Sequence, residues 1–94
     1  MKYVSTRGTA PELTFEEAML TGLARDGGLY VPESLPHYSE AQIAAWSSLP
    51  YTDLAFEIVQ PFVAGCIPDA DLKAIIDDTY SEFRHPAIAP LVQL

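Results

Sequence analysis

Residues 14–32 read TFEEAMLTGLARDGGLYVP, and this stretch decides the fold class by predicting a helix, a turn and a short strand in succession. Thr14 can cap the helix while Glu17 returns the hydrogen bond three positions later, which is the capping-box pattern. Apolar or small residues then recur at helical spacing and form one stripe: Phe15, Ala18, Met19, Gly22 and Leu23. Gly27 suits a left-handed turn, and Pro32 ends the strand that follows. We therefore expect a helix over residues 15–24 and a strand over 29–31.

The flanking sequence predicts one more strand and three more helices. Residues 3–5 favour a strand that pairs with 29–31, and a second capping box, Ser39 with Gln42, begins a short helix. Residues 52–63 are apolar on most sides, which is typical of a helix in the middle of a bundle. The expected fold class is α+β, mostly α: a small four-helix domain with a short two-stranded β element. The four helices are expected near 15–24, 40–46, 52–64 and 69–83.

The apolar stripes of these helices also predict the core of the domain. Residues that recur every three or four positions share a helix face, and that face packs inward in a soluble protein. We expect the core to consist of Phe15, Met19, Leu23, Leu54, Ile58, Phe62, Leu72, Ile76 and Phe83.

Length and charge exclude several classes of protein. Ninety-four residues make one domain at most. Thirteen acidic residues against five basic ones give a net charge of −8, so nucleic acid and anionic membrane surfaces are poor partners. We find no apolar run of the roughly 18–20 residues that span a bilayer and no secretory signal after Met1. The single cysteine, Cys66, cannot form an internal disulfide, and we expect a cytoplasmic protein.

One motif has the chemistry to bind an anion. In the sequence STRG at residues 5–8, Arg7 stands beside two hydroxyl groups and a glycine, and a guanidinium group can hold a phosphate or carboxylate through two hydrogen bonds. The alternative is a surface arginine at the end of a strand. Arg7 is therefore the only candidate for substrate binding that the residues offer.

The other polar residues favour structural roles. The glycine pair in RDGG at residues 25–28 lacks the spacing of a phosphate-binding loop, so we interpret it as a helix cap joined to a strand. The acids at 69, 71, 77 and 78 lack the ligand pattern of a calcium loop and are expected to be solvated. His37 and His85 have no suitably spaced catalytic partner, and Cys66 is expected to pack as a small hydrophobic residue. Residue chemistry alone identifies no active site and no metal site.

Read together, several blocks resemble the N-terminal region of the threonine synthase family. They are YVSTRG at residues 3–8, FEEA at 15–18, GLARDGGLYVP at 22–32, LAF at 54–56, IPDADLK at 67–73 and PLV at 90–92. The ordered set extends over essentially all 94 residues. The resemblance implies that residues 1–94 are a threonine synthase N-terminal domain, small and largely helical.

Threonine synthases are enzymes that use pyridoxal phosphate to convert O-phospho-L-homoserine and water into L-threonine and phosphate. The resemblance implies that cofactor in the full-length enzyme, where the catalytic lysine lies in a later motif that this chain lacks. No catalytic or cofactor-binding residue is therefore carried over, and we expect this chain alone to bind no cofactor and to be inactive. The alternative is a non-enzymatic threonine-synthase-like protein or an interaction module.

The resemblance also implies a partner for the domain, namely the catalytic domains of the same chain. The sequence ends in an apolar tail that contains Ile88, Leu91, Val92 and Leu94. We expect these side chains to be uncovered in this chain and to promote self-association, because large exposed apolar patches usually mark interfaces.

Overall fold

The computed structural model describes residues 1–83, 91 and 93. Its elements run in the order β1 (Lys2–Ser5), β2 (Leu13–Thr14), α1 (Phe15–Thr21), β3 (Tyr30–Pro32), α2 (Glu40–Trp46), α3 (Tyr51–Val63) and α4 (Asp69–Ser81). Four helices and a small antiparallel sheet confirm the expected α+β, mostly α class. The chain divides into two units. Unit 1 comprises Met1–His37 and Pro61–Pro68, and unit 2 comprises Tyr38–Gln60 and Asp69–Leu94.

The sheet of unit 1 has three strands rather than the two that we expected. β1 lies in the centre and pairs antiparallel with both neighbours, in the order β2-β1-β3. Tyr3 stands opposite Leu13 on one side and opposite Pro32 on the other. The pairing of β1 with β3 was predicted, whereas β2 was not, because two residues are too few to show the alternation that indicates a strand.

Tyr3 anchors the centre of unit 1. Its side chain is buried, and its ring lies 5.9 Å from that of Phe15 at the start of α1. Its hydroxyl group donates a hydrogen bond of 2.6 Å to the carbonyl oxygen of Phe62. Val63, beside that carbonyl, is also buried. Tyr3 therefore joins the first strand to a segment 59 positions later in the sequence.

Helix α1 begins where the sequence predicts and ends earlier. The capping box of Thr14 and Glu17 is present, with both reciprocal hydrogen bonds formed. The helix stops at Thr21 rather than at residue 24, because Gly22 has a φ of +74° and leaves the helical conformation. Leu23 then forms an antiparallel bridge with Leu29. The residues after Gly22 therefore belong to the turn that leads into β3.

Unit 2 packs around α4. Leu72 and Ile76, one turn apart on this helix, are buried. The ring centroids of Tyr51 and Tyr80 lie 5.1 Å apart in an edge-to-face arrangement. Helix α4 ends at Ser81 rather than at residue 83. Beyond Ser81, the amide of Phe83 bonds to the carbonyl of Tyr80, three residues earlier, which is a tighter turn than that of an α-helix.

Part of the expected core is wrong. Leu72 and Ile76 are buried as predicted, while Phe15, Leu54 and Phe62 are half-buried. Four of the nine expected core residues are exposed, namely Met19, Leu23, Ile58 and Phe83. The reason is that helical spacing shows which side chains share a face and does not show which neighbouring element covers that face. Within residues 1–83, no helix combines the length and apolar character needed to cross a bilayer.

The burial of α4 generates a test within one helix. Ile76 is 6% exposed and Ile75 is 53% exposed, although the two side chains are chemically identical and adjacent. We expect Ile76→Ala to lower the free energy of unfolding by about 2–3 kcal/mol, because the substitution leaves a cavity and removes buried apolar surface. Ile75→Ala should lower it by less than about 1 kcal/mol. Urea titration of the two variants measures both values, and equal losses would contradict this description of the helix.

Candidate functional site

The two glycine-containing motifs of the sequence meet in unit 1. The STRG motif follows the end of β1, and the RDGG motif forms the turn between Leu23 and Leu29. Two backbone hydrogen bonds join the loops, since the amide of Thr6 bonds to the carbonyl of Leu29 and the amide of Ala24 bonds to the carbonyl of Gly28. The structure therefore brings together two motifs that the sequence presents separately.

The Asp26 carboxylate lies at the centre of this arrangement. The hydroxyl group of Ser5 donates to both of its oxygens, at 2.7 and 2.8 Å. The Oδ2 atom also accepts from the amide and hydroxyl of Thr9 and from the amide of Ala10, at 2.9–3.1 Å. The Oδ1 atom accepts from the amide of Gly28 at 2.9 Å. Asp26 therefore connects the end of β1, the loop at residues 9–10 and its own turn.

These donors hold Asp26 in its charged form. The hydrogen bond from Ser5, together with those from Gly28 and Thr9, keeps the pKa of the Asp26 carboxyl far below its usual range. Partial burial acts in the opposite direction and is outweighed. Ser5 is itself buried, and its oxygen accepts from the amide of Arg7 at 3.2 Å. A buried hydroxyl group and an ionised carboxylate are thus both satisfied by hydrogen bonds.

Gly28 is required by close approach. A Cβ atom at this position would lie 2.5 Å from the hydroxyl oxygen of Ser5 and 2.9 Å from that of Thr6. Both distances are shorter than ordinary van der Waals contact, so a side chain at position 28 would displace the hydroxyl groups of Ser5 and Thr6 from their hydrogen bonds. The glycine pair thus permits two segments to pack closely. Contrary to the prediction from the sequence, it does not cap α1, because that helix already ends at Gly22.

Arg7 is exposed, and its guanidinium group is fixed on the same turn. Its Nη1 atom donates to the backbone carbonyl of Asp26 at 2.9 Å, and the group lies over Gly27, where a Cβ atom would come within 2.6 Å of Nη1. The amides at residues 6–8 all bond within the protein. An anion at this loop would therefore be bound by the guanidinium group and not by backbone amides. No observation tests substrate binding by Arg7, which stays a prediction.

An open apolar groove lies beside this site in unit 1. It has a volume of about 420 Å³ and is lined by Tyr3, Phe15, Ala18, Met19, Gly22, Leu29 and Tyr30. A smaller groove in unit 2, of about 190 Å³, is lined by Tyr51, Leu54, Ala55, Ile58, Val59 and Tyr80. Neither lining contains a charged side chain, so both grooves suit apolar contacts rather than an ionic ligand.

The remaining candidates show no catalytic arrangement in the part of the chain that is described. Lys73 pairs with Asp77 and with Asp53, at 2.5 and 2.8 Å. His37 is exposed and Cys66 is half-buried and free, while His85 lies outside the described residues. Across residues 1–83, 91 and 93, histidine, cysteine and carboxylate side chains form no group of three that suits a metal ion.

The C-terminal tail is only partly described. Leu91 is fully exposed, which agrees with the expectation for this residue. Ile88, Val92 and Leu94 lie outside the described residues. Self-association through the tail stays a prediction.

Comparison with known proteins identifies the family. The family model described as threonine synthase N terminus matches residues 2–80. The chain belongs to the threonine synthase N-terminal family. This confirms the resemblance carried by the YVSTRG, GLARDGGLYVP and IPDADLK blocks.

Threonine synthase from Pseudomonas aeruginosa is 58% identical over 94 residues, which are all of this chain and 20% of that protein. Human threonine synthase-like 2 is 41% identical over 95 aligned positions, covering all of this chain and 20% of its own length. The crystal structure of pyridoxal-phosphate-bound threonine synthase from Brucella melitensis superposes with a TM-score of 0.93 at 49% identity, over 99% of this chain and 20% of that one. The chain thus spans about a fifth of the length of these relatives.

Sequence reasoning missed Asp26. The sequence could have indicated only its role in the local turn. An aspartate ahead of two glycines often accepts a hydrogen bond from the amide two residues later, as Asp26 does from Gly28. The contacts with Ser5 and Thr9 lie 21 and 17 positions away and leave no periodic pattern. The residue that organises the site was therefore visible only as part of a turn.

Asp26→Asn should destabilise the chain, because one acceptor oxygen becomes an NH₂ group that faces amide and hydroxyl donors. The pKa of Asp26 is lower in the folded chain than its usual value of 3.8. Its stabilising contribution is therefore complete above the unfolded pKa and is lost as the pH falls toward the folded pKa. Urea titrations measure the free energy of unfolding of the unsubstituted chain and of Asp26→Asn. The difference between these two free energies should shrink as the pH is lowered from about 5 to 3.

Asp78→Asn is the matched control, since Asp78 is an exposed acid on α4. It should leave the unfolding midpoint at neutral pH nearly unchanged, because a solvated carboxylate contributes little to stability. Equal losses of unfolding free energy for the two variants at neutral pH would mean that the Asp26 hydrogen bonds make no net contribution to stability.

Proposed function

We propose that this chain is the N-terminal domain of a cytoplasmic threonine synthase, which converts O-phospho-L-homoserine and water into L-threonine and phosphate with pyridoxal phosphate. The observation that carries the proposal is the 58% identity with the Pseudomonas aeruginosa threonine synthase over all 94 residues. The Brucella melitensis relative, which is bound to pyridoxal phosphate, supports the cofactor. The catalytic residues are assigned to the part of the polypeptide that lies outside this chain.

The lysines of this chain support that division, because neither suits covalent attachment of pyridoxal phosphate. A lysine that acts as a nucleophile must lose its proton easily. The hydrogen bonds that Lys73 donates to Asp53 and Asp77 raise the pKa of its ammonium group. The Lys2 side chain is 66% exposed and pairs with Glu12 at 3.4 Å, so it is a solvated surface residue rather than one enclosed in a site. Both observations support the proposal that pyridoxal phosphate is attached to a lysine outside residues 1–94.

In this proposal the domain packs on the catalytic domains of the same polypeptide and shapes or covers their cleft. The two apolar grooves and the exposed apolar side chains of α1 are suited to such packing. The Asp26 hydrogen bonds contribute by keeping the β1 loop and the RDGG turn in one fixed arrangement. A rigid support of this kind preserves the position of any group that it presents to the cleft.

We propose that Arg7 is the residue of this domain that contacts the substrate. Its side chain is exposed, and one nitrogen is already held by the Asp26 carbonyl. Among residues 1–83, no carboxylate forms a salt bridge with it. A guanidinium group has five N–H donors, of which the Asp26 carbonyl occupies one, and its charge and planar geometry match the phosphate of phosphohomoserine.

A second candidate function is supported by the threonine synthase-like relatives. The human protein named threonine synthase-like 2 aligns with all of this chain at 41% identity. In that case the domain would belong to a non-enzymatic threonine-synthase-like protein, which is the alternative raised from the sequence. Threonine formation by the purified full-length polypeptide distinguishes the two candidates, and we expect it to be detected.

The full-length polypeptide should bind pyridoxal phosphate and release phosphate from phosphohomoserine, whereas residues 1–94 alone should do neither. The physical reason is that Lys73 is held protonated and Lys2 is solvated. Borohydride reduction followed by mass spectrometry measures cofactor attachment, and a phosphate assay measures turnover. A stoichiometric cofactor adduct on Lys2 or Lys73 would contradict the proposal.

Arg7→Ala in the full-length enzyme should raise KM for phosphohomoserine on the order of tenfold, because a charge-assisted hydrogen bond to phosphate is lost. The kcat should change less, and the folded fraction should stay nearly constant. Arg25→Ala is the control, since Arg25 is an exposed arginine in the adjacent turn. Arg7→Lys should recover part of the loss, because it keeps the charge without the bidentate geometry. Unchanged kinetics for Arg7→Ala would make Arg7 a surface residue with a structural hydrogen bond only.

A further inference from the structure

The RDGG turn contains a pair of neighbouring residues that can react with each other. Asp26 is followed by Gly27, whereas none of the five other aspartates precedes a glycine and the sequence contains no asparagine. An aspartate ahead of a glycine is prone to isomerise, because glycine has no side chain to hinder the approach of its amide nitrogen to the preceding carboxyl carbon. The sequence therefore favours this reaction at one position, between Asp26 and Gly27.

Isomerisation proceeds through a cyclic imide, the succinimide. The Gly27 nitrogen bonds to the Cγ atom of Asp26, and one carboxyl oxygen leaves as water with the amide hydrogen and a proton from the solvent. Water then opens the ring at either carbonyl carbon. Attack at Cγ restores aspartate, whereas attack at the main-chain carbonyl carbon gives isoaspartate, in which the chain runs through Cβ and Cγ. One water is released and one is consumed, so the reaction needs no oxidant, reductant or other reactant.

In the fold, both groups that must react are engaged in hydrogen bonds. The Gly27 amide donates to the carbonyl of Ala24 at 3.0 Å, and ring closure removes the proton of that bond. The oxygen that leaves belongs to the Asp26 carboxylate, which accepts hydrogen bonds of 2.7–3.1 Å at both of its oxygens. Ring closure is therefore possible only after hydrogen bonds to both reacting groups have broken.

The charge of Asp26 also opposes the reaction. A carboxyl oxygen leaves as water only after the group has taken up protons. The hydrogen bonds from Ser5 and Gly28 keep the pKa of Asp26 far below its usual range, so the folded turn rarely holds the protonated form. Asp26 is half-buried and Gly27 is exposed, so solvent reaches both residues once the turn opens.

We propose that Asp26–Gly27 is a latent modification site, at which the hydrogen bonds of the folded turn suppress isomerisation and local opening of unit 1 permits it. This inference does not depend on the proposed function, because it concerns only the chemistry of the turn. Local opening of a loop costs less free energy than global unfolding, so the site is reached without complete loss of the fold.

The isomerised chain cannot restore the original turn. The carboxyl carbon of Asp26 becomes part of a main-chain amide and keeps one oxygen, so the donors from Ser5 and Thr9 lose an acceptor. The main-chain carbonyl that accepts from Arg7 at 2.9 Å becomes a free carboxylate, which gives this guanidinium group a charged partner. Isomerisation therefore both weakens the junction of the two loops and occupies Arg7.

The test follows the peptide that contains Asp26 in the full-length polypeptide, incubated at one pH and temperature, native and in urea. Mass spectrometry with electron-transfer fragmentation distinguishes isoaspartate from aspartate, which have the same mass, and detects the succinimide by the loss of one water. We expect isoaspartate to form at least about tenfold more slowly in the native protein, because opening of the turn limits the reaction. Equal rates in the two conditions, or no isoaspartate in urea, would overturn the proposal.

Two substitutions test the hydrogen bonds directly, since Ser5→Ala and Thr9→Ala each remove a hydroxyl donor to Asp26. In the folded protein, verified by circular dichroism, isoaspartate should form on the order of tenfold faster in Ser5→Ala and about threefold faster in Thr9→Ala. Ser34→Ala, in the exposed bend after β3, is the control and should leave the rate unchanged.

Thr9→Ala decides the outcome if Ser5→Ala does not fold, because Ser5 is buried whereas Thr9 is exposed. An isoaspartate rate in folded Thr9→Ala equal to that in Ser34→Ala would show that the Asp26 hydrogen bonds do not protect the site, and would refute the proposal. A faster rate that returns to the native value in neither variant supports it.

Discussion

The arrangement of unit 1 depends on one ionised carboxylate. Asp26 accepts hydrogen bonds from Ser5, Thr9, Ala10 and Gly28, and so holds together three segments that are separate in the sequence. A small domain buries too little apolar surface to fix every loop by packing alone. Here a charged acceptor supplies that order, and Gly28 permits the close approach that the hydrogen bonds require.

The sequence predicted the elements of the fold better than their packing. Both capping boxes were identified and both are present, because N-terminal capping is encoded by residues three positions apart. The end of α1 was placed three residues too late, since Gly22 was assigned to the apolar stripe although its conformation ends the helix. Leu72 and Ile76 were correctly assigned to the core, whereas Met19 and Leu23 were not, because helical spacing does not specify what covers a face.

The site was predictable only in pieces. Arg7 and the glycine pair were both singled out from the sequence, yet nothing local showed that the Arg7 guanidinium rests on the turn that contains Gly27. That relation depends on the antiparallel pairing of β1 with β3, which brings residues about 20 positions apart into contact. The matched residues 2–80 contain both motifs, but only the structure shows how the two motifs meet.

The hydrogen bond from Tyr3 to the carbonyl of Phe62 affects the order in which the chain can fold while the ribosome synthesises it. Each unit is formed from two separate stretches of the sequence. Unit 1 combines Met1–His37 with Pro61–Pro68, and unit 2 combines Tyr38–Gln60 with Asp69–Leu94. The two units are interleaved along the chain, so no single cut separates them. A ribosome must synthesise residue 62 before Tyr3 finds its acceptor, and closing so long a loop slows folding. The strand β1 can pair with β2 and β3 earlier, because their residues precede position 33, whereas the Tyr3 hydroxyl group must wait for Phe62.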